Sequence, residues 1–129
     1  MPHRSEELVR QGFKAFQQGD METLSRLFAD DATWHSAGDS PVAGVFTGKD
    51  EIFANFGDVQ QRVDTMEQNI HDVLANDDHA VALVKFKATK GGKQLEQNQA
   101  FVFHIDDEKV KSVWLHNFDT READEFWSD

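Results

Sequence analysis

Apolar and polar positions alternate along this chain with two different periods. From Ser5 to Gln18 the residues Leu8, Val9, Phe13 and Phe16 recur at helical spacing, with Ser5 placed to cap and Glu6 and Glu7 in the first turn. Gly19-Asp20 breaks this helix, and Asp20 caps a second whose stripe is Met21, Leu24, Leu27 and Phe28, ending near Asp30. The run Ala32-Thr33-Trp34-His35-Ser36 is rich in β-formers and reads as a strand, followed by a Gly- and Pro-containing loop from Ala37 to Gly44. Thr47-Gly48-Lys49-Asp50 then resembles a capping sequence ahead of Ile52, Phe53 and Phe56, so a third helix is expected, ending near Gly57 or continuing irregularly to about Val63.

After Val63 the period falls from 3.6 to 2. Thr65 to Leu74, His79 to Thr89, Lys93 to Ile105 and Lys109 to Phe118 read as four strands. Asn76-Asp77-Asp78, Lys90-Gly91-Gly92 and Asp106-Asp107-Glu108 separate them, and such short turn-rich separators imply antiparallel hairpins. Thr120 to Trp127 forms a short terminal helix with Ala123, Phe126 and Trp127 for docking. Helices followed by a run of strands imply an α+β fold with the helices on one face of a curved sheet. A sheet curled around helices leaves a cone-shaped apolar cavity at its open end, a geometry suited to a small molecule.

Composition narrows the functions this fold could serve. At 129 residues one domain spanning 1–129 is expected, because cores divide only beyond roughly 250 residues. The 13 Lys+Arg against 24 Asp+Glu leave a net charge of −11, which argues against nucleic acid and anionic membrane surfaces as partners. No stretch approaches the roughly 18 apolar residues of a membrane span. The polar, acid-bearing N-terminus lacks the pattern of a signal or transit peptide, so a cytoplasmic location is expected. Zero Cys removes disulfides, thiolate metal sites and Cys nucleophiles, and no metal-binding or nucleotide-cofactor motif is present, so neither metal nor cofactor is expected.

The remaining chemistry rests on six histidines, three tryptophans and the amides of the late strands. His3 lies in a terminus expected to fray and His79 follows an acidic turn, while His71 and His104 lie within strands as polar or subunit-facing positions. Trp34-His35 and Trp114-Leu115-His116-Asn117 are the stronger candidates. Each pairs an aromatic wall with an imidazole whose ordinary pKa of about 6.5 suits acid–base work. Strand parity decides what reaches the cavity: Trp34 and Ser36 or else His35, and Trp114 and His116 or else Leu115 and Asn117. In the third late strand, Phe101 and Phe103 facing inward would bring Gln97 and Gln99 with them; otherwise Asn98 and His104 face in. Asp39, in the loop that could fold over the pocket, is the carboxylate candidate; Glu96, Asp72 and Asp119 are nearby alternatives.

Phe13-Lys14-Ala15-Phe16 with Gly19-Asp20, Leu27-Phe28-Ala29-Asp30-Asp31-Ala32-Thr33-Trp34, Phe46-Thr47-Gly48-Lys49-Asp50 and Val110-Lys111-Ser112-Val113-Trp114 resemble the SnoaL-like branch of the nuclear transport factor 2 (NTF2) superfamily. The resemblance covers nearly the whole chain. It implies a cone-shaped barrel, three N-terminal helices packed in a strongly curved antiparallel sheet, commonly dimeric through the sheet's outer face. Members include ketosteroid isomerase, polyketide cyclases, epoxide hydrolases, dehydratases and non-catalytic binding domains, so the fold alone does not choose an activity. The isomerase pattern is missing: its base Asp falls on Ser36, its helix-one Tyr on Gly12, and its protonated Asp near Phe101, in a chain with no Tyr at all. No Arg follows Asp64 until Arg121, which leaves the epoxide-hydrolase arrangement unsupported. For the late acid–base group of a cyclase only His104, His116 or Asp119 could substitute.

Together these readings predict a homodimeric protein that takes a small apolar or aromatic molecule between Trp34, Ser36, Phe101, Phe103 and Trp114. Any isomerisation, cyclisation or dehydration would use His35 or His116, with Asp39 as the carboxylate candidate. The alternative is a non-catalytic binding or accessory module. Val81, Leu83 and Val102 are the apolar sheet positions expected to drive dimerisation.

Overall fold

The computed structural model describes residues 3–128. In chain order it contains α1 (Arg4–Gln18), α2 (Met21–Leu27), β1 (Phe28–Ser36), β2 (Gly44–Thr47), α3 (Gly48–Arg62), β3 (Thr65–Ala75), β4 (His79–Lys90), β5 (Lys93–Asp106), β6 (Lys109–Asn117) and α4 (Thr120–Trp127). All six strands form one curved sheet in the order β2-β1-β6-β5-β4-β3. The three late hairpins are antiparallel, as their short separators require. β1 then joins the far side of β6 in parallel, and β2 completes that edge antiparallel to β1.

Local chemistry sets the helix ends. Gly19 closes α1 in the left-handed region at φ 68°, and Asp20 caps α2 by accepting from the Thr23 amide at 3.1 Å. His3, expected to be a free residue, caps α1 instead: its Nδ1 accepts from the Ser5 amide at 3.0 Å. Ser5, expected to cap, is buried inside the first turn. At α3 the Thr47 side chain makes no capping hydrogen bond; Glu51 Oε1 accepts from the Thr47 amide at 3.0 Å, four residues back rather than three. α3 runs through Gly57 to Arg62.

Two elements differ from the sequence reading. α2 stops at Leu27, and β1 starts at Phe28 rather than Ala32, with Asp30 and Asp31 exposed within the strand. These acids are held by lysines from neighbouring elements, Asp30 by Lys49 at 3.0 Å and Asp31 by Lys111 at 2.5 Å. β2 occupies the end of the segment read as a loop and cap, where four residues are too few to show a period.

The helices cover the inner face of the sheet. Phe13 of α1 meets Phe101 edge-on at 5.1 Å, Phe16 meets Phe56 of α3 at 5.2 Å, and Trp34 meets Phe56 at 4.9 Å. A second cluster forms where Phe126 and Trp127 of α4 pack with Phe86, Ala88 and Leu95. α4 is held there by its C-terminal carbonyls, since Lys90 Nζ donates to Ser128 O at 2.7 Å and Lys93 Nζ donates to Glu125 O at 3.0 Å. Among the described residues no helix is long and apolar enough to cross a membrane.

Candidate functional site

The cavity lies between the inner face of the sheet and α1, α3 and α4. About 1040 Å³ of space separates its lining atoms, part of it open to solvent. Leu8, Phe13, Phe56 and Trp127 approach from the helices, and Trp34, Phe101, Phe103 and Leu115 from the sheet. In β5 the buried residues are Leu95, Gln97, Gln99, Phe101, Phe103 and Ile105, so one unbroken period-2 series supplies both the aromatic floor and the amides.

Parity is now explicit. Trp34 and Ser36 line the cavity, and so do Leu115 and Asn117. His35 and Trp114 lie on the other face as a cross-strand pair, their rings stacked at 5.0 Å and 8°. His35 Nε2 is 3.1 Å from Thr33 Oγ1, which donates to Ser112 Oγ on the same face. His116, paired with Ala100, is exposed. The cavity-wall assignment of Trp114 and the placement of His35 and His116 as acid–base groups at the cavity are therefore corrected. The physical reason is a β-bulge. Ile105 pairs with Val110 but His104 with Ser112, so Lys111 is an extra residue in β6 and inverts the alternation beyond it. Val110 and Val113 both point inward, three positions apart.

Asp39 is corrected as well. It is exposed, and its backbone amide donates to the Asp124 carboxylate, with both oxygens at 3.0 Å. The Ser40 amide donates to the same carboxylate at 3.2 Å. Gly38 makes this close approach possible: it sits at φ 114°, and a Cβ there would fall 2.3 Å from Asp124 Oδ1. Asp124 thus pins the 37–43 loop to α4 beside the cavity mouth. It is the sole titratable side chain among the described cavity-lining residues. Of the other carboxylates considered, Glu96 and Asp72 are exposed on their strands. Asp119 caps α4 by accepting from the Glu122 amide at 3.0 Å.

The polar part of the cavity is made of neutral amides with the Ser36 and Ser40 hydroxyls; among the amides Gln68 and Asn55 carried no mark in the sequence, and Asn117 only as one side of a parity alternative. Asn55 is 8 % exposed on the inner side of α3. Gln99, also 8 % exposed, donates from Nε2 to Asn117 Oδ1 at 2.9 Å, while its Oε1 is buried without a partner. Gln68 Oε1 is likewise buried and unpartnered. Gln97 is used structurally: Nε2 donates to Asp119 O at 3.2 Å and Oε1 accepts from the Asp119 amide at 2.9 Å. That two-point tie fixes the junction between β6 and α4. No group of three or more His, Asp or Glu side chains among the described residues is arranged to hold a metal ion.

The outer face is built differently. Val45, His35, Trp114, Val102, Val81 and Leu74 are successive partners across all six strands and form one apolar and aromatic row. Its two ends are open to solvent, Val45 at 63 % and Leu74 at 55 %. In the next row His79 and His104 stack at 4.9 Å.

Comparison with known proteins agrees with this architecture. A family model described as a SnoaL-like domain matches residues 9–113. The uncharacterized protein Rv0034 of Mycobacterium tuberculosis is 32 % identical over 124 residues, covering 95 % of each chain. The structure of Bal32a, from a soil-derived mobile gene cassette, superposes with a TM-score of 0.91 at 36 % identity, over 96 % of both chains. An NTF2-like protein of unknown function from Burkholderia pseudomallei shares the fold at TM-score 0.87 and 20 % identity, over 99 % of this chain and 100 % of that one. With the helices, the curved sheet and these matches in agreement, the chain has the NTF2-like fold and belongs to the SnoaL-like domain family.

Proposed function

We propose that this protein binds a small, predominantly apolar molecule in the cavity, without an acid–base histidine of its own at the binding site. The observation that carries this reading is the cavity's inventory. Aromatic and aliphatic walls surround neutral amides, and the one titratable lining group, Asp124, is already accepting from two backbone amides. A proton-transfer catalyst requires a titratable group within reach of the reacting atoms. The two histidines that could have served lie on the opposite face of the sheet.

Titration with 2-naphthol, followed by Trp fluorescence and by thermal unfolding, tests this. Leu115→Trp, which fills the cavity from β6, is expected to abolish binding, and His35→Ala and His116→Ala to leave it unchanged. Loss of binding in the histidine variants with retention in Leu115→Trp would refute the reading.

The outer row supports a second part of the proposal, a homodimer formed through that face. Contiguous apolar surface of this kind marks an interaction site rather than a solvated face. Val81 and Val102 lie in the row and Leu83 lies beside it on the same strand face, all three half-buried in the single chain. Sedimentation at micromolar concentration should give twice the chain mass; a monomer would remove this part and leave the cavity reading intact.

A further inference from the structure

The two unpartnered amide oxygens say which apolar molecules the cavity is built to take. Burying an amide acceptor with no hydrogen bond forfeits its hydration without replacement, so such atoms are uncommon and call for a partner. Here two of them, Gln99 Oε1 and Gln68 Oε1, belong to residues that line one predominantly apolar cavity. Gln99 has a locked geometry, because its strand position is buried and its Nε2 is spent on Asn117. Gln68 lies on β3, two strands away, opposite Phe86, whereas Gln99 lies opposite Val84. The two residues therefore line the cavity from separate stations on the sheet, with β4 between them.

The geometry points to a neutral ligand with an apolar, ring-sized body and two hydroxyl groups, one donating to Gln99 Oε1 and the other to Gln68 Oε1. This rests on the cavity being the binding site, and it specifies the ligand's chemistry. A hydroxyl fits better than the alternatives for three reasons. It donates, which ethers and ketones do not. It carries no charge, and an anion would find neither Lys nor Arg among the described lining residues, in a protein of net charge −11. It is also small enough to donate from the edge of an apolar ring without bringing further unpaired polar atoms into the cavity. An ammonium group would need a free carboxylate, and Asp124 is held by the Asp39 and Ser40 amides.

The test compares 2,6-dihydroxynaphthalene, 2,6-dimethoxynaphthalene and naphthalene-2,6-dicarboxylate by calorimetry on the wild-type protein and on Gln68→Leu and Gln99→Leu. The diol should bind at least about tenfold tighter than the dimethoxy compound, which presents acceptors to acceptors, and the dicarboxylate should bind weakest. Each leucine variant should weaken the diol by about tenfold while leaving the dimethoxy compound within about twofold. Measured without ligand, Gln68→Leu should unfold at an equal or higher urea concentration, because it removes an unsatisfied buried oxygen and no side-chain hydrogen bond, whereas Gln99→Leu also loses the bond to Asn117 and is read by its ligand preference alone. A merely structural glutamine would lower that midpoint. Equal affinities for diol and diether, leucine variants that keep the wild-type preference for the diol, or a Gln68→Leu protein that unfolds earlier, would overturn this inference and spare the cavity reading. Binding of none of the three would overturn both.

Discussion

The two faces of the sheet come from the same strands and carry opposite chemistry. On the inner face β5 presents Gln97, Gln99, Phe101 and Phe103, packed against α1 and edged by neutral amides. On the outer face the adjoining positions and their neighbours present His35, His79, His104 and His116 among Val81, Val102 and Trp114. The pleat puts successive side chains on opposite sides, so a cavity able to solvate an imidazole and one that excludes it differ by a single step of register. In this protein every one of these four histidines falls outside. The lesson is that the fold's enclosed volume and these histidines have been separated, which supports the proposal of a binding cavity without an acid–base histidine.

Truncating each face in turn should give very different results. Phe101→Ala removes a ring in contact with Phe13, Trp34 and Phe103, and should cost about 3–5 kcal/mol in urea unfolding. A cost near zero would mean that the inner face is not the packed side. Gly38→Ala should come next, losing about 1–3 kcal/mol, since φ 114° is strained for any side chain and the new methyl would strike Asp124. It should also release the 37–43 loop and increase the exchange rates of the Asp39 and Ser40 amides. Trp114→Ala on the outer face should shift sedimentation from dimer to monomer while leaving the affinity for 2-naphthol within about twofold of the wild-type value. A large loss of affinity would place the binding site on the wrong face in this account.

The smallest effect concerns pH. Hydrogen bonding to Lys49 holds the Asp30 carboxyl below its usual range, and Lys111 does the same for Asp31. A folded-state pKa below the unfolded value adds stability that is present above the ordinary Asp value of about 3.9. That contribution disappears as pH falls through the lowered folded values. Both groups are solvent-exposed, so the contribution is modest and screened by salt. The urea midpoint of the wild type should therefore fall between pH 5 and pH 3 by slightly more than that of Asp30→Asn/Asp31→Asn, and the gap should narrow in 1 M salt. An identical fall in both proteins would show that these pairs add nothing.

The sequence carried most of the architecture because most of it is written in uninterrupted periods. The α1 stripe, the Gly19-Asp20 break and the alternation from Ala80 to Ala88 each span enough residues to be read. Parity was illegible where a bulge intervenes. Lys111 shifts β6 and His71 shifts β3, and the stretch between Phe28 and Thr33 is irregular against β6. Counting from Phe101 across to β6 could not tell Leu115 from Trp114 without knowing of the Lys111 bulge. Gln68 had no sequence signal because a glutamine in a strand looks the same whether it faces water or a cavity, and Asn117 was visible only as one of two parity alternatives on β6. Gln97 and Gln99 were visible only as a conditional, tied to the direction of Phe101.

The most direct test of the central claim reads both faces in a single experiment. With the three tryptophan indoles assigned by NMR, the protein is titrated with 2,6-dihydroxynaphthalene. The account predicts that the indole N–H of Trp34 and the side-chain amide of Gln99 shift together and saturate with one binding constant, while the indole of Trp114 and the imidazole of His35 stay in place. Saturating shifts at Trp114 and His35 with Trp34 and Gln99 unmoved would contradict it.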